Sequence, residues 1–209
     1  MAYDLEEQEQ IATLRGWWKD NGNFVLGALV AVSLAVSGWF GWQNWKAGQA
    51  ASAGEQYEAL VRAAQGGDLK AMREAGAALA ENYAGTVYAS LGALASAKTL
   101  FDRGDLKGAR AQLQWVLEKG ATDDFKDLAR LRMAAVLLDE KGYDEALKLM
   151  EAKPAAPLEP QYAAMKGDLL VARNQPAEAK AAYRAALEKP GGSEAFRASV
   201  QMRLDALGG

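Results

Sequence analysis

The chain has 209 residues, half of them apolar and 24% charged, with a formal net charge of −3 and neither cysteine nor histidine. That balance lacks the concentrated basic surface that a phosphate backbone requires, so nucleic acid is not an expected partner. The missing imidazole and thiol take away the groups on which most catalytic triads, zinc centres and proton shuttles depend, so the chain reads as non-enzymatic, with no metal or other cofactor. Alanine and leucine dominate and alternating β-branched runs are missing, which predicts an all-α fold.

Residues 1–20 form an expected cytoplasmic amphipathic tail. Asp4, Glu6, Glu7 and Glu9 fill its first half and Arg15 and Lys19 its second, an order that suits a helix dipole. Asp4 with Glu7 three residues on has the spacing of a capping box. Ile11, Leu14 and Trp18 would share a face able to lie on a membrane; a frayed tail is the alternative.

Residues 21–45 form an expected transmembrane helix. No charged residue occurs from Asn21 to Trp45, and Phe24–Trp42 reads FVLGALVAVSLAVSGWFGW. At about 1.5 Å per residue, roughly 20 residues cross a ~30 Å hydrocarbon core. A buried core helix would show a polar face, and this run shows none. Trp17 and Trp18 precede it and Trp39, Trp42 and Trp45 close it, at the two levels where indoles favour the headgroup layer. A cleaved signal peptide would begin with a basic segment and carry a shorter apolar core with a small-residue cleavage site, so an uncleaved anchor is the reading. Arg15 and Lys19 outweigh Lys46, which predicts the N-terminus inside and the large domain in a bacterial periplasm. Ser33, Ser37 and Gly41 recur at four-residue spacing, as do Gly27, Ala31 and Ala35. The seam Ser33, Ser37, Gly41 is either a docking face for another membrane protein or the ordinary small-residue content of a membrane helix.

Residues 46–209 form an expected helical repeat domain. The tetrapeptide GDLK at Gly67–Lys70 recurs at Gly104–Lys107, and EKGYDEAL (Glu140–Leu147) and ARNQPAEAK (Ala172–Lys180) resemble the same turn. Aligning the turns makes Met72, Ala109, Ala146 and Ala179 equivalent, with separations of 37, 37 and 33 residues. A helix–turn–helix repeat near 34 residues is the tetratricopeptide class. Ala97, Ala134 and Gly167 would be the small residues where first helices cross second helices, and Leu113, Met150 and Tyr183 would fill the core beyond. Asp68, Asp105, Thr86 and Ser193 are expected helix caps, Gly85 an expected helix end, and KPAAPLEP (Lys153–Pro160) a linker of fixed shape. A last helix from Ser193 through Leu207 would close the stack. An irregular helical bundle is the competing architecture. In a stack, first helices line a concave groove; Leu94, Phe101, Leu131 and Leu138 are candidate groove residues for peptides, and each is equally a candidate core residue.

Taken together, the acidic tail, the span ending in Gly-Trp-x-x-Trp (Gly41–Trp45) and the segments Tyr88–Leu117, Leu131–Glu151, Lys166–Leu187 and Val200–Leu207 resemble, in order and over nearly the whole chain, the YfgM-type ancillary subunits of the SecYEG translocon, which carry tetratricopeptide-like repeats. The resemblance implies an N-in, single-pass protein of the bacterial inner membrane with a periplasmic repeat domain. It implies as partners the SecYEG translocon, a membrane-anchored periplasmic chaperone of the PpiD type, secretory client polypeptides and the lipid bilayer. It implies a role in passing emerging secretory proteins to periplasmic chaperones, and more weakly a regulatory role for the tail. It supplies no catalytic residue.

The expectation is therefore an interaction module: a translocon accessory that recruits chaperones through its repeats. The alternative is a membrane-anchored repeat scaffold for other cell-envelope assembly or stress-signalling complexes, since a fold does not set a function. An acid–base pair at Asp123 and Asp124 is the third reading, set against their position at an expected helix start, where acids serve the dipole.

Overall fold

The computed structural model describes residues 2–208, with side chains from residue 9 onward. Among these residues all regular structure is helical. The α-helices are α1 (Ala2–Gly66), α2 (Leu69–Asn82), α3 (Val87–Asp102), α4 (Leu106–Lys119), α5 (Asp123–Asp139), α6 (Tyr143–Leu149), α7 (Glu159–Ala172), α8 (Pro176–Glu188) and α9 (Glu194–Ala206), with one 3-10 turn at Ala156–Leu158. The chain divides into two compact units, Met1–Gly48 and Gln49–Gly209.

The tail, the apolar run and the start of the repeat domain all fall within the bounds of α1, with no helix end near residue 20 or 45. The segment contains no proline, and an isolated helical glycine costs only about 1 kcal/mol, so nothing local ends the helix. The side chains of Asp4, Glu6 and Glu7, and with them the expected capping box, lie outside the described residues. In the first unit Ile11, Leu14 and Trp18 are exposed.

In the second unit the turn chemistry sets the architecture. Four residues at 37-, 37- and 33-residue spacing take a left-handed backbone: Gly67 (φ 78°), Gly104 (φ 78°), Lys141 (φ 63°) and Asn174 (φ 59°). At each, the following N–H reaches five residues back: Asp68 to the Ala63 carbonyl (2.9 Å), Asp105 to Leu100 (2.9 Å), Gly142 to Leu137 (2.7 Å) and Gln175 to Leu170 (2.9 Å). The left-handed residues donate three back, to Ala64, Phe101, Leu138 and Val171. This double bond pattern is the Schellman stop, which satisfies carbonyls that a helix end leaves bare and reverses the chain. The C-terminal part of α1 thus turns into α2, α3 into α4, α5 into α6 and α7 into α8.

In the first two hairpins the second helix starts on a side-chain cap, whereas α6 and α8 start without one. The Asp68 carboxylate accepts from the N–H of Lys70 and Ala71, and that of Asp105 from Gly108. Thr86 and Ser193 accept from Ala89 and Phe196. Gly85 does not end α2: the helix stops at Asn82 with Tyr83 as its C-cap, and Gly85 sits in the turn that follows. Asp123 and Asp124 occupy the first turn of α5, with Asp123 ion-paired to Lys126 at 3.5 Å.

The hairpins cross where small residues recur. Met72, Ala109, Ala146 and Ala179 are each 0% exposed, and Ala97, Ala134 and Gly167 are buried opposite them. The same register places Leu60, also 0% exposed, at the first crossing. One continuous apolar core runs from Ala53 to Leu169, and a second, smaller one gathers Ala164, Ala179, Tyr183, Ala186, Val200 and Leu204 under α9.

Polar contacts lock neighbouring units. Arg73 of α2 bonds Asp105 at 3.1 Å, and Arg110 of α4 bonds Glu140 (3.1 Å) and Glu145 (2.5 Å). Buried Asp127 on α5 accepts from the Ala155 N–H (2.8 Å) and pairs with Arg130, while the Tyr162 hydroxyl donates to the Asp127 carbonyl (2.8 Å). This ties the proline-rich linker to the stack, and burial pushes the Tyr162 phenol up to about 12. On α9, Arg203 grips both oxygens of Asp168 (2.9 and 2.7 Å), and the Tyr183 hydroxyl donates to the same carboxylate. Desolvation and this carboxylate hold the Tyr183 phenol well above its usual range.

Candidate partner-binding surfaces

Two surfaces are built to meet something other than water, one in each unit. In the first unit the apolar run turns its side chains outward: Phe24 is 80% and Leu34 70% exposed, and no residue of the most apolar stretch is buried. Contiguous apolar surface of this extent requires lipid or protein around it. α1 is long and apolar enough to cross a membrane. At the end of the run the Trp39 and Trp42 rings lie 5.6 Å apart, and the Lys46 ammonium sits 3.8 Å over the Trp42 ring. That cation–π contact holds charge and indole together at one level, as a headgroup layer favours.

Ser33, Ser37 and Gly41 lie on an exposed stretch of this helix. A Cβ built on Gly41 or Gly27 would meet no heavy atom within 4 Å, so the backbone is open to close approach there. In hydrocarbon, where apolar burial gives no advantage, such access is what lets van der Waals packing between helices develop.

In the second unit a cleft of about 290 Å³ opens between α3 and α5, the first helices of consecutive hairpins. Phe101 lines it, beside Lys98, Asp102, Arg132, Ala135 and Val136. The other three candidate groove residues are not gathered there. Leu94 is buried at 3% exposure, and half-buried Leu131 and Leu138 pack against the core. Arg132 is the polar residue that sequence reasoning passed over. It donates to the Leu94 carbonyl at 3.0 Å, and burial lowers its pKa from the usual guanidinium value. It follows Leu131 directly, and a basic residue opening the apolar run Met133–Leu138 was the available signal. Among the described residues no three acidic side chains gather as a metal site would need.

The chain matches the tetratricopeptide repeat-like domain family over residues 15–209. It is 31% identical to a protein of Neisseria gonorrhoeae and 30% identical to one of Haemophilus influenzae, in both cases over 99% of this chain and 100% of the relative. A relative from Escherichia coli strain K12 is 27% identical over 96% of each. All three are named ancillary SecYEG translocon subunit. The chain belongs to this tetratricopeptide repeat-like family. No solved structure matches it. The match spans the apolar stretch and every hairpin, and its repeat class is the one that the left-handed turns at Gly67, Gly104, Lys141 and Asn174 build.

Proposed function

We propose that the protein is a non-enzymatic accessory of a SecYEG translocon that links emerging secretory polypeptides to periplasmic chaperones, a PpiD-like membrane-anchored chaperone among them. In this reading residues 1–20 lie in the cytoplasm, 21–45 cross the inner membrane and 46–209 stand in the periplasm. Ser33, Ser37 and Gly41 form the face toward the translocon or the chaperone's anchor, and the α3–α5 cleft with Phe101 takes partner or client segments. The observation that carries it is the exposed apolar stretch of α1 with its tryptophan edges, in a chain alike end to end with relatives that bear the translocon name.

Photocrosslinkers placed at Ser33 and Ser37 of the full chain, in native membranes, test the docking face. Adducts to SecY or to a chaperone's membrane anchor are expected; adducts to cell-wall synthases alone would favour an envelope scaffold instead. A membrane-impermeant maleimide on spheroplasts tests orientation. Glu151→Cys should label and Gln10→Cys should not, and the opposite pattern would invert the topology.

A further inference from the structure

The second helices of the hairpins are 14, 14, 7 and 13 residues long (α2, α4, α6 and α8). α6 is half the length that the repeat register allots it. A proline at 154 bars the full length: it has no N–H to bond the carbonyl four residues back, and its ring collides with that carbonyl. The helix ends at Leu149, with Met150 as C-cap. Two helical turns are thus missing from the stack, and the chain leaves as a linker instead.

A cleft of about 360 Å³ opens between the linker and the hairpin α7–α8. Met150, Tyr162, Ala163, Ala182 and Ala185 give it an apolar lining. Its charged residues are Lys153, Lys166, Lys189 and Glu159, a net charge of +2 in a chain whose overall charge is −3. Lys189 bonds Glu159 at 2.6 Å and holds that carboxylate below its ordinary pKa, with Lys153 adding to the effect. Among the described residues Lys153 and Lys166 form no ion pair of their own. The Glu159–Lys189 pair shows which chemistry this rim accepts: a carboxylate.

We propose that this notch is a docking site for a short acidic amphipathic helix of a partner protein, which seats apolar side chains on Ala163, Ala182 and Tyr162 and sets carboxylates against Lys153 and Lys166. The shape follows from the register: Met150 and Pro154 match Gly76 and Ala80, and Ala182 and Ala185 match Gln112 and Trp115, which line a cleft beside α2 and α4, so the notch is the groove along consecutive second helices, a shape that takes a helix. The sign follows from the lysines. Helix-in-groove recognition of this kind reads apolar anchors at i, i+3, i+4 and i+7, with flanking charge setting the choice of partner. The site is separate from the α3–α5 cleft and from the membrane helix, and holds whichever membrane complex the chain joins.

The test uses the full chain in phosphatidylcholine nanodiscs and two fluorescent 14-residue peptides with leucine at those four positions. One carries glutamate elsewhere, the other lysine, and empty nanodiscs give the background. The glutamate peptide should bind at least tenfold more tightly than the lysine peptide, and its affinity should fall as salt rises. The charge reversals Lys153→Glu and Lys166→Glu together should weaken it about tenfold and improve the lysine peptide. Ala163→Trp should block the glutamate peptide while the circular dichroism of the chain stays unchanged. Equal binding of the two peptides, no binding above background, or glutamate-peptide binding that survives both the charge reversal and Ala163→Trp would each overturn the proposal.

Discussion

In the first hairpin of the domain the crossing residues are Leu60 and Met72, both fully buried, and the position one turn beyond Met72 is Gly76. In the last hairpin the same three places hold Gly167, Ala179 and Tyr183. The bulk that enters from the crossing positions in one hairpin enters from the next turn of the second helix in the other. A Cβ on Gly76 would stand 3.6 Å from Leu60 Cδ1, and a Cβ on Gly167 only 2.4 Å from Tyr183 Cε1. Protein interiors are close-packed, so the total volume between two helices is constrained while its distribution between them is not. Two hairpins can therefore share turn geometry and register and still be locked by different side chains.

Substitutions break this contrast in order of size. Leu60→Ala should cost the most, about 3 kcal/mol, because a fully buried leucine leaves a cavity that its neighbours fill only in part; denaturant titration of the detergent-solubilised chain, followed by circular dichroism, measures it. Gly167→Ala should cost about 2 kcal/mol through overpacking against the Tyr183 ring. Pairing it with Tyr183→Leu should recover most of that loss in a double-mutant cycle, and a lack of coupling would remove the ring as the cause. The same change at Gly76 should have the opposite sign, a gain of about 0.5–1 kcal/mol, because an ordinary contact there leaves only the helix preference of alanine. Equal signs at Gly76 and Gly167 would end the contrast between the hairpins. The smallest effect is at a turn: Lys141→Gly should raise stability by about 0.5 kcal/mol by relieving a left-handed lysine, read as slower hydrogen exchange at the α5–α6 turn.

The repeats were legible because their signals are local. Asp68 and Asp105 cap because a short carboxylate reaches the N–H groups two and three residues on, and Gly67 and Gly104 turn because they lack a Cβ. The third turn shows the limit of such reading. The pair Lys141–Gly142 draws attention to the glycine, yet Lys141 takes the left-handed backbone, since the helix end and the bond from the Gly142 N–H to Leu137 set the frame one residue earlier. The cleft was less legible than the turns. Leu94, Leu131 and Leu138 carry the same apolar signal as Phe101, and composition does not tell a core-facing leucine from a groove-facing one.

By itself, the sequence determined what depends on a few neighbouring residues. A 25-residue uncharged run is long enough to span a membrane whatever surrounds it, and turns at 37, 37 and 33 residues set the unit length. Pro154 keeps α6 from reaching the length of α2 by the same local logic. The tertiary structure alone decided which helix of each hairpin supplies the bulk at its crossing, that Arg132 rather than Leu131 lines the α3–α5 cleft, and that Lys153, Lys166 and Lys189 meet around the cleft between the linker and α7–α8. Those outcomes depend on volume and charge summed over helices far apart in the chain, and no single segment contains that sum.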